Sequence, residues 1–347
     1  MRYHKLGNTG LDVSPVAIGA MTYGPPDRGY PAWSLGEDAS RALIKHALEA
    51  GINFFDTANY YSLGGSEEIL GRALDDFADR DDVVICTKVC SPMRSTPNGQ
   101  GLSRKAIMTE IDASLRRLGT DYVDIYMIHR LDTHTPIEET LEALHDVVKA
   151  GKARYLGASS MRAFEFAKAL HLQNRYGWAR FITMQDQYNL LAREEEREML
   201  PLCAEEGVGT MVWSPLARGR LARPVETTAT ARSQSDPGLQ LFYSEQTADS
   251  DRAIIDAVGD IAEGRSVSRA TIALAWLHHN PVVAAPLVGA NSTAQIDDAV
   301  ASVEITLSAD ELERLQQPYT PRVDLQGLNS DSPEVRRVSS QSAHSAD

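Results

Sequence analysis

The chain is poor in several things, and each scarcity removes a class of explanation. Cysteine occurs only at Cys86, Cys90 and Cys203 in 347 residues. That number and spacing make neither a disulfide framework nor a metal knuckle, so packed, reduced thiols and no bound metal are expected. No stretch approaches the ~20 apolar residues of a membrane-spanning helix, and the opening MRYHKLGNTGL has no apolar core of leader-peptide length. Basic residues are outnumbered, 34 Lys and Arg against 48 Asp and Glu, and the net charge of −14 repels phosphate backbones and anionic membranes at long range. No G-x-G-x-x-G follows a strand-like run, which argues against the glycine-rich platform of a doubly wound sheet. A cytoplasmic protein with no nucleic-acid or membrane partner is expected; its oligomeric state is not legible.

What the chain does have is alternation. With 43% hydrophobic residues it can bury a large core. Short apolar runs recur as VAIGA (16–20), INFF (52–55), VVICTK (83–88), YVDIYMIH (122–129), ARYLGAS (153–159), FITMQ (181–185), GVGTMVW (207–213) and VVAAPLVG (282–289). Each has strand length. Segments of helical period lie between them: EDASRALIKHALEAG stops at Gly51, SRKAIMTEIDASLRRLG at Gly119, and AREEEREMLPLCAEEG at Gly207 with Pro201 as a bend. In TPIEETLEALHDVVKAG, Thr135 is read as the N-cap, Pro136 as the first turn, Glu138 as the closing residue of a capping box and Gly151 as the stop. Eight strands each followed by a helix predict one α/β domain, a (β/α)8 TIM barrel over residues 1–320. Residues 222–250, a long loop after strand 7, are expected to form a lid at the carboxyl face, and the polar C-terminal tail over 321–347 is expected to be mobile.

In such a barrel the chemistry collects at the carboxyl ends of the strands, and those ends are polar: Asp56, Lys88, His129, Ser159 with Ser160, Gln185 and Trp213. A lysine closing VVIC is costly in a core unless an anion stands beside it, and Asp56 on the neighbouring strand supplies one. A plain Asp–Lys pair bracing the barrel mouth would account for these two residues alone. Tyr61, five residues after Asp56 in FFDTANYY, and His129 add a phenol and an imidazole. Together the four suit proton delivery to a carbonyl oxygen. An adjacent ammonium is expected to lower the phenol pKa, which makes Tyr61 the general acid, Lys88 its tuner, Asp56 the partner of Lys88, and His129 the orienting donor. A proton donor reduces nothing alone, and no metal cluster or activated Ser or Cys nucleophile is visible, so something must bring a hydride. Trp33, with Tyr30 nearby in GYPAWSLG, is a candidate wall of the substrate pocket. The pair His278 and His279 ends a helix facing different sides, which does not suit a metal.

FDTANYY, TK at 87–88, IYMIHR at 125–130, GASS at 157–160, MQDQYNLL at 184–191 and VWSPLARGRL at 212–221 stand in an order and spacing that resemble the aldo-keto reductase superfamily, over roughly residues 3–315. The resemblance implies a barrel that binds NADP(H) in extended form and reduces an aldehyde or ketone, with the tetrad at Asp56, Tyr61, Lys88 and His129. It implies nicotinamide contacts from Ser159, Ser160 and Gln185, a ring stacked on Trp213, and Thr22 and Tyr23 beside the ribose. Ser214, Pro215, Leu216, Arg218, Gly219 and Arg220 would wrap the pyrophosphate, with the Leu216 and Gly219 amides as donors. In PLVGANSTAQIDDAV (286–300), the expected adenosine segment, Gly289 and Gln295 keep family places. Asn291 stands where many relatives have Arg, Asp298 replaces Glu and Ala299 replaces Asn. NADP(H) is the expected cofactor, with NAD(H) possible, and Arg232 and Ser233 are expected to fold over it. The expected partner is a small-molecule carbonyl substrate. The alternatives are an NADP(H)-binding redox-sensing or regulatory subunit with little turnover, and a phosphate-sugar isomerase barrel working without a nicotinamide.

Overall fold

Along an extended chain, alternate side chains take opposite sides of the backbone, and the apolar runs here bury both sides. A computed structural model describes residues 1–29, 31, 33–226, 236, 239, 242–243 and 247–322. A hairpin, β1 (His4–Lys5) with β2 (Asp12–Val13), precedes the eight predicted runs. These become β3 (Ala17–Gly19), β4 (Phe54–Asp56), β5 (Val84–Val89), β6 (Val123–Ile128), β7 (Ala153–Ser159), β8 (Phe181–Gln187), β9 (Gly209–Trp213) and β10 (Val283–Val288). All eight pair in parallel in chain order and β10 closes on β3, a (β/α)8 TIM barrel. The surrounding helices are α1 (Glu37–Glu49), α2 (Gly65–Phe77), α3 (Arg104–Leu118), α4 (Ile137–Lys149), α5 (Ala163–Tyr176), α6 (Met199–Glu206), α7 (Ala248–Arg265), α8 (Arg269–His278), α9 (Thr293–Ser302) and α10 (Ala309–Gln316).

Two apolar clusters follow from the alternation. Ala17, Phe54, Val84, Cys86, Ile125, Met127 and Met211 fill the barrel interior, joined by Leu6 and Val13 from the hairpin. Ile18, Phe55, Ile85, Tyr126, Met184 and Val212, their chain neighbours, pack outward against the helices. Carried two residues further along each strand, the inward positions become Asp56, Lys88, His129, Gln185 and Trp213. The interior is therefore oily toward its floor and polar at its carboxyl mouth.

Most helix ends are as expected. Ser103 caps α3 by accepting the Ala106 N–H at 3.2 Å, and Gly119 ends it at φ 67°, where glycine pays no Cβ penalty. Two expectations are corrected. Thr135 does not cap α4: Pro136 is the N-cap, without a side-chain cap, because the Thr135 hydroxyl donates instead to Asp132 at 2.7 Å. Nor does Pro201 bend a long helix. A short 3-10 turn, Glu194–Glu196, comes first and α6 starts afresh at Met199, which puts Pro201 in the first turn, where its missing N–H costs nothing. No helix among the described residues is long and apolar enough to cross a membrane.

The hairpin is pressed against the barrel floor. A Cβ on Gly209 would stand 2.6 Å from the Gly7 nitrogen and 2.9 Å from Leu6 Cδ1. Gly209→Ala is therefore expected to cost about 1–3 kcal/mol by overpacking, seen as a lower urea midpoint at unchanged slope; an unshifted midpoint would contradict this packing.

Candidate active site

β4 ends at Asp56, but its chain keeps pairing with β5: the Thr57 N–H donates to the Cys86 carbonyl at 2.8 Å and the Asn59 N–H to the Lys88 carbonyl at 3.3 Å. That continuation leads the backbone past Lys88 and delivers Tyr61 to it. Lys88 is wholly buried and Asp56 nearly so. The Lys88 Nζ donates to Asp56 Oδ2 at 2.6 Å, to the Thr57 carbonyl at 2.9 Å and to the Tyr61 hydroxyl at 3.4 Å. An ammonium has three protons to give, and all are placed. The other carboxylate oxygen of Asp56 accepts from Gln185 Nε2 at 2.9 Å. Such complete pairing is what a buried ion pair requires if desolvation is not to outweigh attraction.

The electrostatics follow from this geometry. Burial works against the Lys88 charge, but the Asp56 carboxylate, with Tyr61 and Cys86, outweighs it and holds the Lys88 pKa above its ordinary value. For Tyr61 the expectation of a lowered pKa is corrected. Burial raises it, Lys88 pulls it down, Asp56 opposes Lys88, and the net shift is upward. The phenol is thus protonated at neutral pH, with a cation in place for whatever negative charge it acquires. The His129 backbone N–H donates to the Val89 carbonyl at 2.8 Å, and its ring meets Tyr61 edge-on, centroids 5.7 Å apart. Burial, then the charges of Lys88 and Arg130, push its pKa well below the usual histidine value, so the imidazole is neutral.

A second polar chain runs along β7 to β9. Ser159 donates to the Gln185 carbonyl at 2.8 Å and lies 3.1 Å from the Ser160 hydroxyl, which accepts from Trp213 Nε1 at 3.1 Å. Through Gln185 this chain joins the Asp56–Lys88–Tyr61 group. Several non-glycine residues at this end adopt positive φ, among them Ser62 (48°), Cys90 (134°), Ser160 (51°), Ser214 (52°) and Arg218 (56°), the backbone strain that gathers at functional sites.

The rim after β9 is more tightly held than its polar sequence suggested. Arg218 donates from Nη1 to Asp236 at 2.5 Å, its guanidinium stands 5.1 Å over the Phe242 ring, and Phe242 meets Trp213 edge-on at 5.5 Å. Arg220 shares the buried Asp251 with Arg322, at 3.4 and 2.6 Å, and Tyr243 lies beneath both guanidinium groups. The side-chain Nε atoms of all three arginines are buried without a hydrogen bond. The Gly219 amide, expected to face a phosphate, donates to the Leu216 carbonyl at 2.8 Å.

Across the barrel, Thr22 and Gly289 touch: a Cβ on Gly289 would lie 2.8 Å from Thr22 Oγ1. Tyr23 is wholly buried and packs in the outer apolar cluster. The loop carrying Trp33 is tied back at Leu35, whose N–H donates to the Thr22 carbonyl at 2.7 Å. Asn291 and Gln295 are exposed, with Asn291 N–H donating to Gln295 Oε1 at 2.8 Å, and Asp298 is partly buried at α9. Tyr30, Arg232 and Ser233 lie outside the described residues. Ser159, Ser160, Gln185 and Trp213 are polar groups of the kind that fits a flat amide-bearing ring, though their donors are here spent on one another and on Asp56, and the rim sets three arginines with unbonded Nε atoms against two carboxylates.

The Aldo/keto reductase family model matches residues 15–319. The chain belongs to the aldo/keto reductase family. It is 45% identical over 340 residues to a versiconal hemiacetal acetate reductase of Aspergillus parasiticus, covering 93% of this chain and 98% of that one. It is 39% identical to a putative aryl-alcohol dehydrogenase of Saccharomyces cerevisiae (92% and 97% covered), and 42% identical to an aldo-keto reductase of Alternaria alternata (91% of each). This aldo/keto reductase is thus an oxidoreductase of a family that reduces carbonyl compounds and generally uses nicotinamide cofactors. Sequence reasoning missed the Asp56 contact of Gln185, the carboxylates that hold Arg218 and Arg220, and Arg322. An acidic residue in a polar loop carries no signal of burial.

The neutral histidines give a pH dependence. His129 lies well below the usual pKa, and burial pushes His278 down to about 4. Below about pH 6.5 the unfolded chain therefore takes up protons that the folded chain refuses, and stability falls with pH by up to about 1.4 kcal/mol per unit for each such histidine. Urea titrations from pH 7 to 5 should show this slope, and His129→Asn should remove one histidine's share; an unchanged slope would mean that His129 protonates freely in the fold.

Proposed function

We propose that the protein reduces an aldehyde or ketone to an alcohol with a nicotinamide dinucleotide, Tyr61 delivering the proton. The observation that carries this reading is the wholly buried Lys88 joined at once to Asp56 and to a protonated Tyr61. When bound, the nicotinamide supplies the hydride to the carbonyl carbon. Tyr61 gives its proton to the carbonyl oxygen, and Lys88, 3.4 Å away, stabilises the phenolate as it forms. Asp56 keeps Lys88 charged and placed. His129, neutral, donates a hydrogen bond to the same oxygen and orients it. Ser159, Ser160 and Gln185 would hold the carboxamide, which would require Gln185 to give up its bond to Asp56. Thr22 and Trp213 would hold the nicotinamide riboside, and Ser214 to Arg220, with the Leu216 amide, would hold the pyrophosphate.

NADP(H) is the favoured cofactor over NAD(H). Its extra phosphate would sit at the start of α9, where Asn291 is exposed and the N-cap Ser292 makes no side-chain cap bond, leaving donors at a helix N-terminus. Gln295 and Asp298 would flank the adenosine, Trp33 would wall the substrate pocket, and the barrel would be a unit of residues 1–320 with 321–347 as a tail. Three free cysteines suit a reducing cytoplasm. Because one relative is named for aryl alcohols, aromatic aldehydes are the first substrate class to test.

Two outcomes are expected. Tyr61→Phe should bind NADPH as the parent does and lose at least ~100-fold in turnover, measured by steady-state NADPH oxidation with benzaldehyde; a fully active variant would remove the proton donor. Repeated turnover by the parent also separates this reading from a regulatory subunit, which would oxidise its bound cofactor once. Asn291→Asp, which sets a carboxylate against the 2′-phosphate, should shift the ratio of kcat/KM from NADPH toward NADH by about tenfold; an unmoved ratio would place the phosphate elsewhere.

A further inference from the structure

One residue of IYMIHR has no part in this mechanism. Arg130 follows His129 directly, where β6 has ended and the chain turns over the mouth. It is partly buried, and among the described residues its guanidinium makes no side-chain hydrogen bond, Asp186 acting on it only through its charge. The contrast with the other arginines of this rim is sharp, since Arg218, Arg220 and Arg322 each hold a buried carboxylate. Arg130 lies within electrostatic reach of Tyr61, Asp186 and Arg218. Asp186 is also engaged by the Ser160 N–H at 3.0 Å. A guanidinium keeps its proton, and the Arg130 nitrogens are not among the side-chain atoms closed off from solvent, so its paired N–H donors are open to a ligand at the mouth.

The barrel order narrows the choice of ligand. β6 lies four strands from β10 in either direction around the ring, opposite the Gly289–Gln295 segment where the adenosine end of the cofactor is proposed, and beside His129, where the carbonyl is proposed. The proposal thus rests on that functional reading. We propose that Arg130 is a specificity-determining residue that binds an anionic group of the substrate, so that favoured carbonyl compounds carry a carboxylate remote from the reacting carbon. The carbonyl then faces Tyr61 and His129 while the carboxylate takes the paired N–H donors of the guanidinium.

The test pairs 4-carboxybenzaldehyde with 4-methylbenzaldehyde, and adds calorimetric titration of the whole protein with benzoate, which needs no turnover. The parent should favour the charged aldehyde. Arg130→Met should lower the charged-to-neutral ratio of kcat/KM about 10- to 100-fold and weaken benzoate binding by a similar factor, and Arg130→Lys should recover part of both. Because the ratio is internal to each variant, a partly folded preparation does not imitate the effect. An unchanged ratio with unchanged benzoate affinity would overturn the proposal, and so would a loss of NADPH affinity with the ratio intact, which would make Arg130 a cofactor contact. If neither aldehyde is reduced, the functional reading fails and the benzoate titration alone decides the role of Arg130.

Discussion

One buried ammonium organises the mouth of this barrel. Lys88 sits where a strand that is apolar on both sides should have ended in another apolar residue, and a charge there is tolerable only if every proton finds an acceptor. Asp56, the Thr57 carbonyl and Tyr61 provide the three acceptors. Meeting that demand fixes the register of β4 against β5, the path of the chain from Asp56 to Tyr61, and the rotamer of Gln185, whose amide holds the second carboxylate oxygen. The same constraint that stabilises the mouth thus presents a phenol beside a fixed positive charge.

Lys88 affects Tyr61 differently from what proximity alone suggests. A neighbouring cation would be expected to ionise the phenol in part, yet burial and Asp56 prevail and the phenol keeps its proton. For a proton donor this is the better arrangement. An acid so held would be fully stocked at neutral pH, and the cation would act on charge that appears during transfer, which is where electrostatic stabilisation speeds a reaction.

Much of this was legible in the chain. Barrel strands buried on both faces read as unbroken apolar runs, and their period of two points Asp56, Lys88 and His129 to the same interior. What was not legible depended on competition or depth. Thr135 has cap chemistry, but Asp132 takes its hydroxyl. Pro201 looks like a break in a helix because the preceding 3-10 turn has a helical composition. Gln185 and Asp56 are 129 residues apart, and no local pattern foretells their bond. Charged residues in polar loops read as solvated, so the pairing of Arg218 with Asp236 was invisible. Against a net charge of −14, the arginines at this rim make the mouth a local exception.

In the proposed mechanism Tyr61 rests as a neutral phenol and Lys88 matters as its proton leaves. The measurement closest to it is the pH dependence of the chemical step, followed by single-turnover NADPH oxidation with benzaldehyde from pH 6 to 10.5. A burial-raised Tyr61 predicts a rate that holds level through pH 9 and falls only as the pH passes the ordinary tyrosine value of about 10. A rate that falls with an apparent pKa between 7 and 8 would show the phenol already ionised at neutral pH, and would contradict the account.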